Sequence, residues 1–82
     1  MRARIVIRLR PGVLDSQGTT IRKALESLGF PEVRELRVGR VLELTLDGTD
    51  RTRAQARLDE MCRKLLANPV VEDYTVELED AP

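Results

Sequence analysis

Val33-Arg34-Glu35-Leu36-Arg37-Val38-Gly39-Arg40-Val41-Leu42-Glu43-Leu44-Thr45-Leu46 is the stretch on which the fold turns. Two runs rich in β-formers flank Gly39-Arg40, so the pattern predicts a hairpin with strands at residues 33–38 and 41–46. A two-residue Gly-Arg loop would pair Val38 with Val41 and Leu36 with Glu43, putting Leu42, Leu44 and Leu46 on the face opposite Leu36 and Val38. A three-residue loop or a bulge instead pairs Val38 with Leu42 and Leu36 with Leu44. That register gathers one apolar face and is the expected one.

Upstream, Ala3, Ile5, Ile7 and Leu9 alternate with Arg4, Arg8 and Arg10, the period of a half-buried strand, which Pro11-Gly12 ends. Asp15 then suits a helix N-cap, and Ile21, Ala24, Leu25 and Leu28 follow at helical spacing, with Arg22, Lys23 and Glu26 turned outward. Gly29 fits the left-handed position after the helix, and Pro31 prevents continuation. Downstream, Asp47-Gly48-Thr49-Asp50 is turn chemistry, and Thr52 with Gln55 offers a capping box, so a second helix begins between Asp50 and Thr52. Ala54, Leu58, Met61, Cys62, Leu65 and Leu66 trace its apolar stripe, and Asn68-Pro69 ends it. Val70, Tyr74, Val76 and Leu78 fall within a last strand that alternates with Asp73, Thr75, Glu77 and Glu79, and residues 80–82 form a tail.

The order β-α-β-β-α-β predicts an α+β, ferredoxin-like two-layer sandwich: a four-stranded antiparallel sheet with both helices on one face. Right-handed crossovers place the strands in the order 4-1-3-2. Charge supports that neighbourhood, because the outward Arg4, Arg8 and Arg10 of the first strand would face Asp73, Glu77 and Glu79 of the last. The open sheet face keeps Val6 and Val71 amid charge, which suits a partner surface.

Composition excludes whole classes of function. Eighty-two residues make one domain, spanning residues 1–82. Fourteen basic residues balance fourteen acidic ones, so there is no global field to hold nucleic acid or an anionic membrane. With no histidine and a single cysteine, Cys62, the chain has no Ser-His-Asp or Cys-His pair and no Cys/His zinc cluster. Catalytic residues, a cofactor site and a metal site are therefore all expected to be absent. A lone cysteine forms no intrachain disulfide, the N-terminus runs into a strand rather than a signal peptide, and no apolar run reaches membrane-spanning length. The expected location is the cytoplasm.

Four local features invite chemistry. Cys62 lies on the apolar stripe and reads as a packing residue, since a reactive thiolate needs electropositive, accessible surroundings. Glu72-Asp73 cannot jointly ligate an ion, because consecutive strand residues point to opposite faces. Asp15-Ser16-Gln17-Gly18 places polar groups and a glycine at a helix N-terminus, where free amides bind anions, but it matches no phosphate-loop pattern and Asp15 already occupies the cap. Arginine outnumbers lysine twelve to two on a fold shared with RNA-binding modules, but the central strands lack the aromatics on which bases stack.

Val13-Leu14-Asp15-Ser16-Gln17-Gly18, the run from Val33 to Gly39 continuing into Leu42-Glu43-Leu44, and above all Glu60-Met61-Cys62-Arg63-Lys64-Leu65-Leu66-Ala67-Asn68-Pro69-Val70-Val71-Glu72-Asp73-Tyr74 closely resemble the PurS family. These are small subunits of phosphoribosylformylglycinamidine (FGAM) synthase. Ser16 stands where many relatives have proline, and arginine replaces much of the usual lysine. The resemblance implies a non-catalytic assembly subunit in de novo purine biosynthesis. It would form a homodimer or larger homomer and bridge the glutaminase PurQ and the synthetase PurL for ammonia transfer, while ATP and Mg serve the large subunit. The alternative is a regulatory domain of ACT type, which shares the βαββαβ topology and would hold a small effector near residues 15–18. Residues that the family shares but that helix and strand patterning does not require mark the expected protein interface: Asp15, Gln17, Gly18, Gly39, Arg40, Asn68, Glu72, Asp73 and Tyr74.

Overall fold

The computed structural model describes residues 1–48 and 50–79. Thr49 of the predicted turn and the predicted tail at residues 80–82 lie outside them. β1 (Arg2–Leu9), α1 (Ser16–Ser27), β2 (Gly39–Thr45), α2 (Arg51–Met61) and β3 (Glu72–Glu79) follow in that order. A short π-helical stretch, Cys62–Leu66, prolongs α2 and closes with the Ala67 amide donating to the Cys62 carbonyl at 3.0 Å. Both helices begin on an aspartate. Asp15 accepts from the Gly18 amide and Asp50 from the Arg53 amide, so Asp50 rather than Thr52 caps α2.

The sheet has three antiparallel strands in the order β2-β1-β3, not four. Its neighbour relations are those expected of the first, third and last predicted strands, and Arg8 sits opposite Asp73, Arg4 opposite Glu77 and Arg2 opposite Glu79. The predicted strand at residues 33–38 is absent, and with it the hairpin and both of its candidate registers. The physical reason is that the loop residues are already spent. Gly39 and Arg40, needed for the turn, pair instead with Arg8 and Ile7 as the first residues of β2. The backbone ahead of them is engaged elsewhere: the Val38 amide donates to Asp15 Oδ2 at 2.8 Å. Residues 33–38 form an irregular return segment held to the start of α1 at Leu36 and Val38, and their apolar positions, Val33, Leu36 and Val38, are spaced by three and then two, so strand alternation was never complete.

A second correction concerns α1, which was expected beside α2 on the sheet. The sheet's packing partner is α2, against β3, and α1 does not pack on it. Ala3, Ile5, Ile7, Leu58, Cys62 and Ala67 form the buried core, with Tyr74, Val76 and Leu78 of β3 packed against it. Burial of Cys62, with the nearby Asp59 carboxylate adding to it, pushes its thiol pKa up. Cys62 is therefore a packing residue, as its place on the stripe predicts.

With α1 standing off the sheet, the molecule measures 49 × 30 × 14 Å and has a radius of gyration of 16.3 Å. A compact chain of this length would have about 12 Å. Leu28 is 73% exposed on α1 and Leu65 is 83% exposed beside α2.

Candidate functional site

The C-terminal end of β1 gathers three segments that are far apart in sequence. Arg10 ties them together. Its amide donates to the Val71 carbonyl at 2.8 Å, Nη2 donates to the Pro69 carbonyl at 2.7 Å, and Nε lies 3.4 Å from Asp73 Oδ1. The Arg10 carbonyl accepts from Arg37 Nη2 at 3.2 Å and from the Val13 amide at 3.1 Å. One residue thus joins the turn after β1, the return segment and the turn before β3.

Arg40, exposed at the start of β2, donates from Nη2 to both Glu72 oxygens at 3.0 and 3.2 Å and to the Leu66 carbonyl at 3.1 Å. The Glu72 side chain is only 16% exposed, and its Oε1 also accepts from the Asn68 amide at 2.7 Å. Asn68 Oδ1 accepts from the Val70 amide at 3.1 Å, an Asx turn that aims the chain into β3. Exposed ion pairs contribute little by themselves, but amide-to-carboxylate bonds of this kind fix backbone geometry.

Asp15 completes the surface. Oδ1 takes the Gly18 amide and Oδ2 takes the Val38 amide, both at 2.8 Å. The Val38 and Gly18 amides, with Arg37 nearby, hold its carboxyl below the usual carboxylate range against the opposing effect of partial burial. A folded pKa lower than the unfolded one gives a contribution to stability that is complete above about pH 4 and is lost as pH falls through the folded value. Asp15→Asn keeps a cap but has one oxygen for two donors. Its melting temperature should lie below the parent's at pH 7, with the gap narrowing towards pH 3; a gap independent of pH would remove the assigned role from the charge.

Asp15, Gly18, Gly39, Arg40, Asn68, Glu72 and Asp73 all fall at this end of the sheet, and Gln17 is exposed in the first turn of α1 beside them. Tyr74 is half-buried on the core side of β3, the side it shares with Glu72, opposite Ile7 and packed against the core. Arg10 faces Asp73 as the charge pattern predicts, but the pattern gives no hint that it or Arg37 joins these turns, because Arg10 continues the Arg4, Arg8 alternation and reads as one more outward charge. Its position one residue before Pro11-Gly12, where a strand must turn, was the available signal.

The arrangement holds shape and presents charge. Glu72 and Asp73 have separate partners, and among the described residues no three His, Cys, Asp or Glu side chains come together. The Gly18 amide that an anionic effector would use is already donated to Asp15. Gly18 itself is buried, with the Leu36 carbonyl oxygen occupying the place of a Cβ. No helix among the described residues is long and apolar enough to cross a membrane.

Comparison with known proteins gives a consistent result. The family model described as PurS, phosphoribosylformylglycinamidine (FGAM) synthase, matches residues 2–80. The phosphoribosylformylglycinamidine synthase subunit PurS of Synechocystis is 45% identical over 75 residues, 92% of this chain and 75% of that protein. The crystal structure of Methanocaldococcus jannaschii PurS superposes with a TM-score of 0.89 at 36% identity, covering 99% of this chain and 98% of that one. A chain of the PurLQS structure from Thermotoga maritima gives a TM-score of 0.84 at 35% identity, covering 93% of both.

Proposed function

The chain belongs to the PurS family, and from that premise we propose that it is the assembly subunit of FGAM synthase, self-associating and joining the glutaminase PurQ to the synthetase PurL. Ammonia released from glutamine must reach the second active site before it is protonated and lost to solvent, so coupled turnover depends on aligned proteins. In this reading the whole 82-residue chain acts as one cytoplasmic domain and supplies no reacting group; ATP and Mg are handled by the large subunit. One observation supports it above the others: Arg10, Arg40 and Asp15 lock turns from three segments into a single charged surface.

The surface is tested by substitutions that leave its framework intact. Arg40 is not such a position, because its removal strips Glu72 and the Leu66 carbonyl of a donor. Gln17 is exposed, so Gln17→Ala should change stability by no more than about 0.5 kcal/mol, whereas Asp73→Ala also removes the exposed ion pair to Arg10 and should cost up to about 1 kcal/mol. With PurL and PurQ present, glutamine-dependent synthesis should fall more than ammonia-dependent synthesis, since only the former requires PurQ to be docked. Variants that assemble and use glutamine like the parent would move the contact to the open sheet face.

A further inference from the structure

Asp47-Gly48, in the turn from β2 to α2, is the one aspartate–glycine pair in the chain. Both residues are exposed, and among the described residues neither the Asp47 carboxyl nor the Gly48 amide has a hydrogen-bond partner. Gly48 stands at φ +98°, and nothing lies within 4 Å of the place a Cβ would take, so its backbone nitrogen is open to the carboxyl that precedes it. The other described aspartates lack this freedom. Asp15 and Asp50 accept amides at the starts of the helices, Asp59 lies inside α2, and Asp73 lies in β3 beside Arg10. Each is followed by a residue whose side chain crowds the nitrogen, namely Ser16, Arg51, Glu60 and Tyr74. Asn68 precedes Pro69, whose nitrogen carries no hydrogen.

We propose that Asp47 is a site of spontaneous conversion to isoaspartate in the folded protein. The Gly48 nitrogen attacks Cγ of the protonated Asp47 carboxyl; a C–N bond forms, the C–OH bond breaks, and the hydroxyl leaves with the amide proton as water. Water then adds to one of the two carbonyls of the cyclic imide and breaks its bond to nitrogen. Cleavage at Cγ restores aspartate, whereas cleavage at the backbone carbonyl leaves the chain running through Cγ, with one more carbon in the backbone and a free α-carboxylate. No oxidant, cofactor or second protein takes part. The turn is fixed at both ends: the Leu46 amide donates to the Met1 carbonyl at 2.7 Å, the Leu46 carbonyl accepts from the N-terminal ammonium at 3.1 Å, and Asp50 caps α2. The added carbon therefore strains the joint between sheet and helix and loosens the Met1 clasp on Leu46.

The test is to age the full chain, still folded by circular dichroism, in mildly acidic buffer at raised temperature and then digest it with trypsin. The peptide Val41-Leu42-Glu43-Leu44-Thr45-Leu46-Asp47-Gly48-Thr49-Asp50-Arg51 should resolve into two species of equal mass, the new one resistant to a protease that cleaves before aspartate at position 47. It should accept a labelled methyl group from S-adenosylmethionine in the presence of an isoaspartyl methyltransferase. Asp47→Glu, whose imide ring would be one atom larger and closes far more slowly, should lose most of that label. In the isomerised fraction the Leu46 amide should exchange with solvent faster than in fresh protein. A folded parent that yields a single unlabelled species, whether or not the free peptide isomerises, overturns the proposal. Label that persists in Asp47→Glu, or that maps to Asp50 or to another aspartate, overturns the assignment to Asp47, and unchanged exchange at Leu46 overturns the loosening of the clasp.

Discussion

Leu58→Ala should cost about 2–5 kcal/mol, the range for deleting a fully buried leucine side chain. Leu58 has no exposed surface, lies in the core with Ala3, Ile5, Ile7 and Cys62, and sits on the helix that packs on the sheet. At roughly 0.05–0.15 kcal/mol per residue, a domain of this length holds about 4–12 kcal/mol in all, so the variant should be marginal or unfolded at room temperature. Urea unfolding followed by circular dichroism measures the loss at fixed protein concentration. A loss below about 1 kcal/mol would mean that α2 settles into the vacated space and that the core is softer than its close packing indicates.

Gly18→Ala should be damaging at this buried position, although alanine is the better helix former by about 1 kcal/mol. A Cβ at this position would collide with the Leu36 carbonyl oxygen and come within 2.8 Å of Asp15 Oδ2. Because the first obstacle is backbone, relief requires the return segment to move, and a net loss of about 1–3 kcal/mol follows. Hydrogen exchange gives the specific signature: the Val38 amide, protected by Asp15, should exchange faster in the variant, while β1 amides paired with β3 keep their relative protection. Unchanged exchange at Val38 with wild-type stability would show that the return segment adjusts without loosening.

Local chemistry was legible wherever a residue's partner lies within a few positions or where alternation is unbroken. The strand at Ala3 to Leu9, the Asp15 cap and the facing of Arg4 with Glu77 all follow from the sequence. Residues 33–38 were misread because composition reports that a segment suits extended backbone, not where its amides are satisfied; the Val38 amide goes to a carboxylate 23 positions away. The α1 stripe likewise announces that an apolar surface is needed without naming the chain that supplies it. The turns of the candidate surface were identified from family resemblance, but Arg10, which joins them, was not, because its bonds reach Pro69 and Val71.

The strand at the sheet's centre, β1, precedes both of its neighbours along the chain, and β3, at one edge, follows them all. β1 pairs Arg2 with Glu79 and Leu9 with Glu72, so one whole side of the central strand waits for residues 72–79 to be translated. Until residue 72 has emerged, Ile5 and Ile7 can pair only with β2, and the helix that covers them lacks its contact with β3. Folding of the sheet therefore waits on residues 72–79, and a message interrupted before them yields a polypeptide with its greasiest strand half-clothed, a substrate for chaperones and proteases rather than a shortened working part.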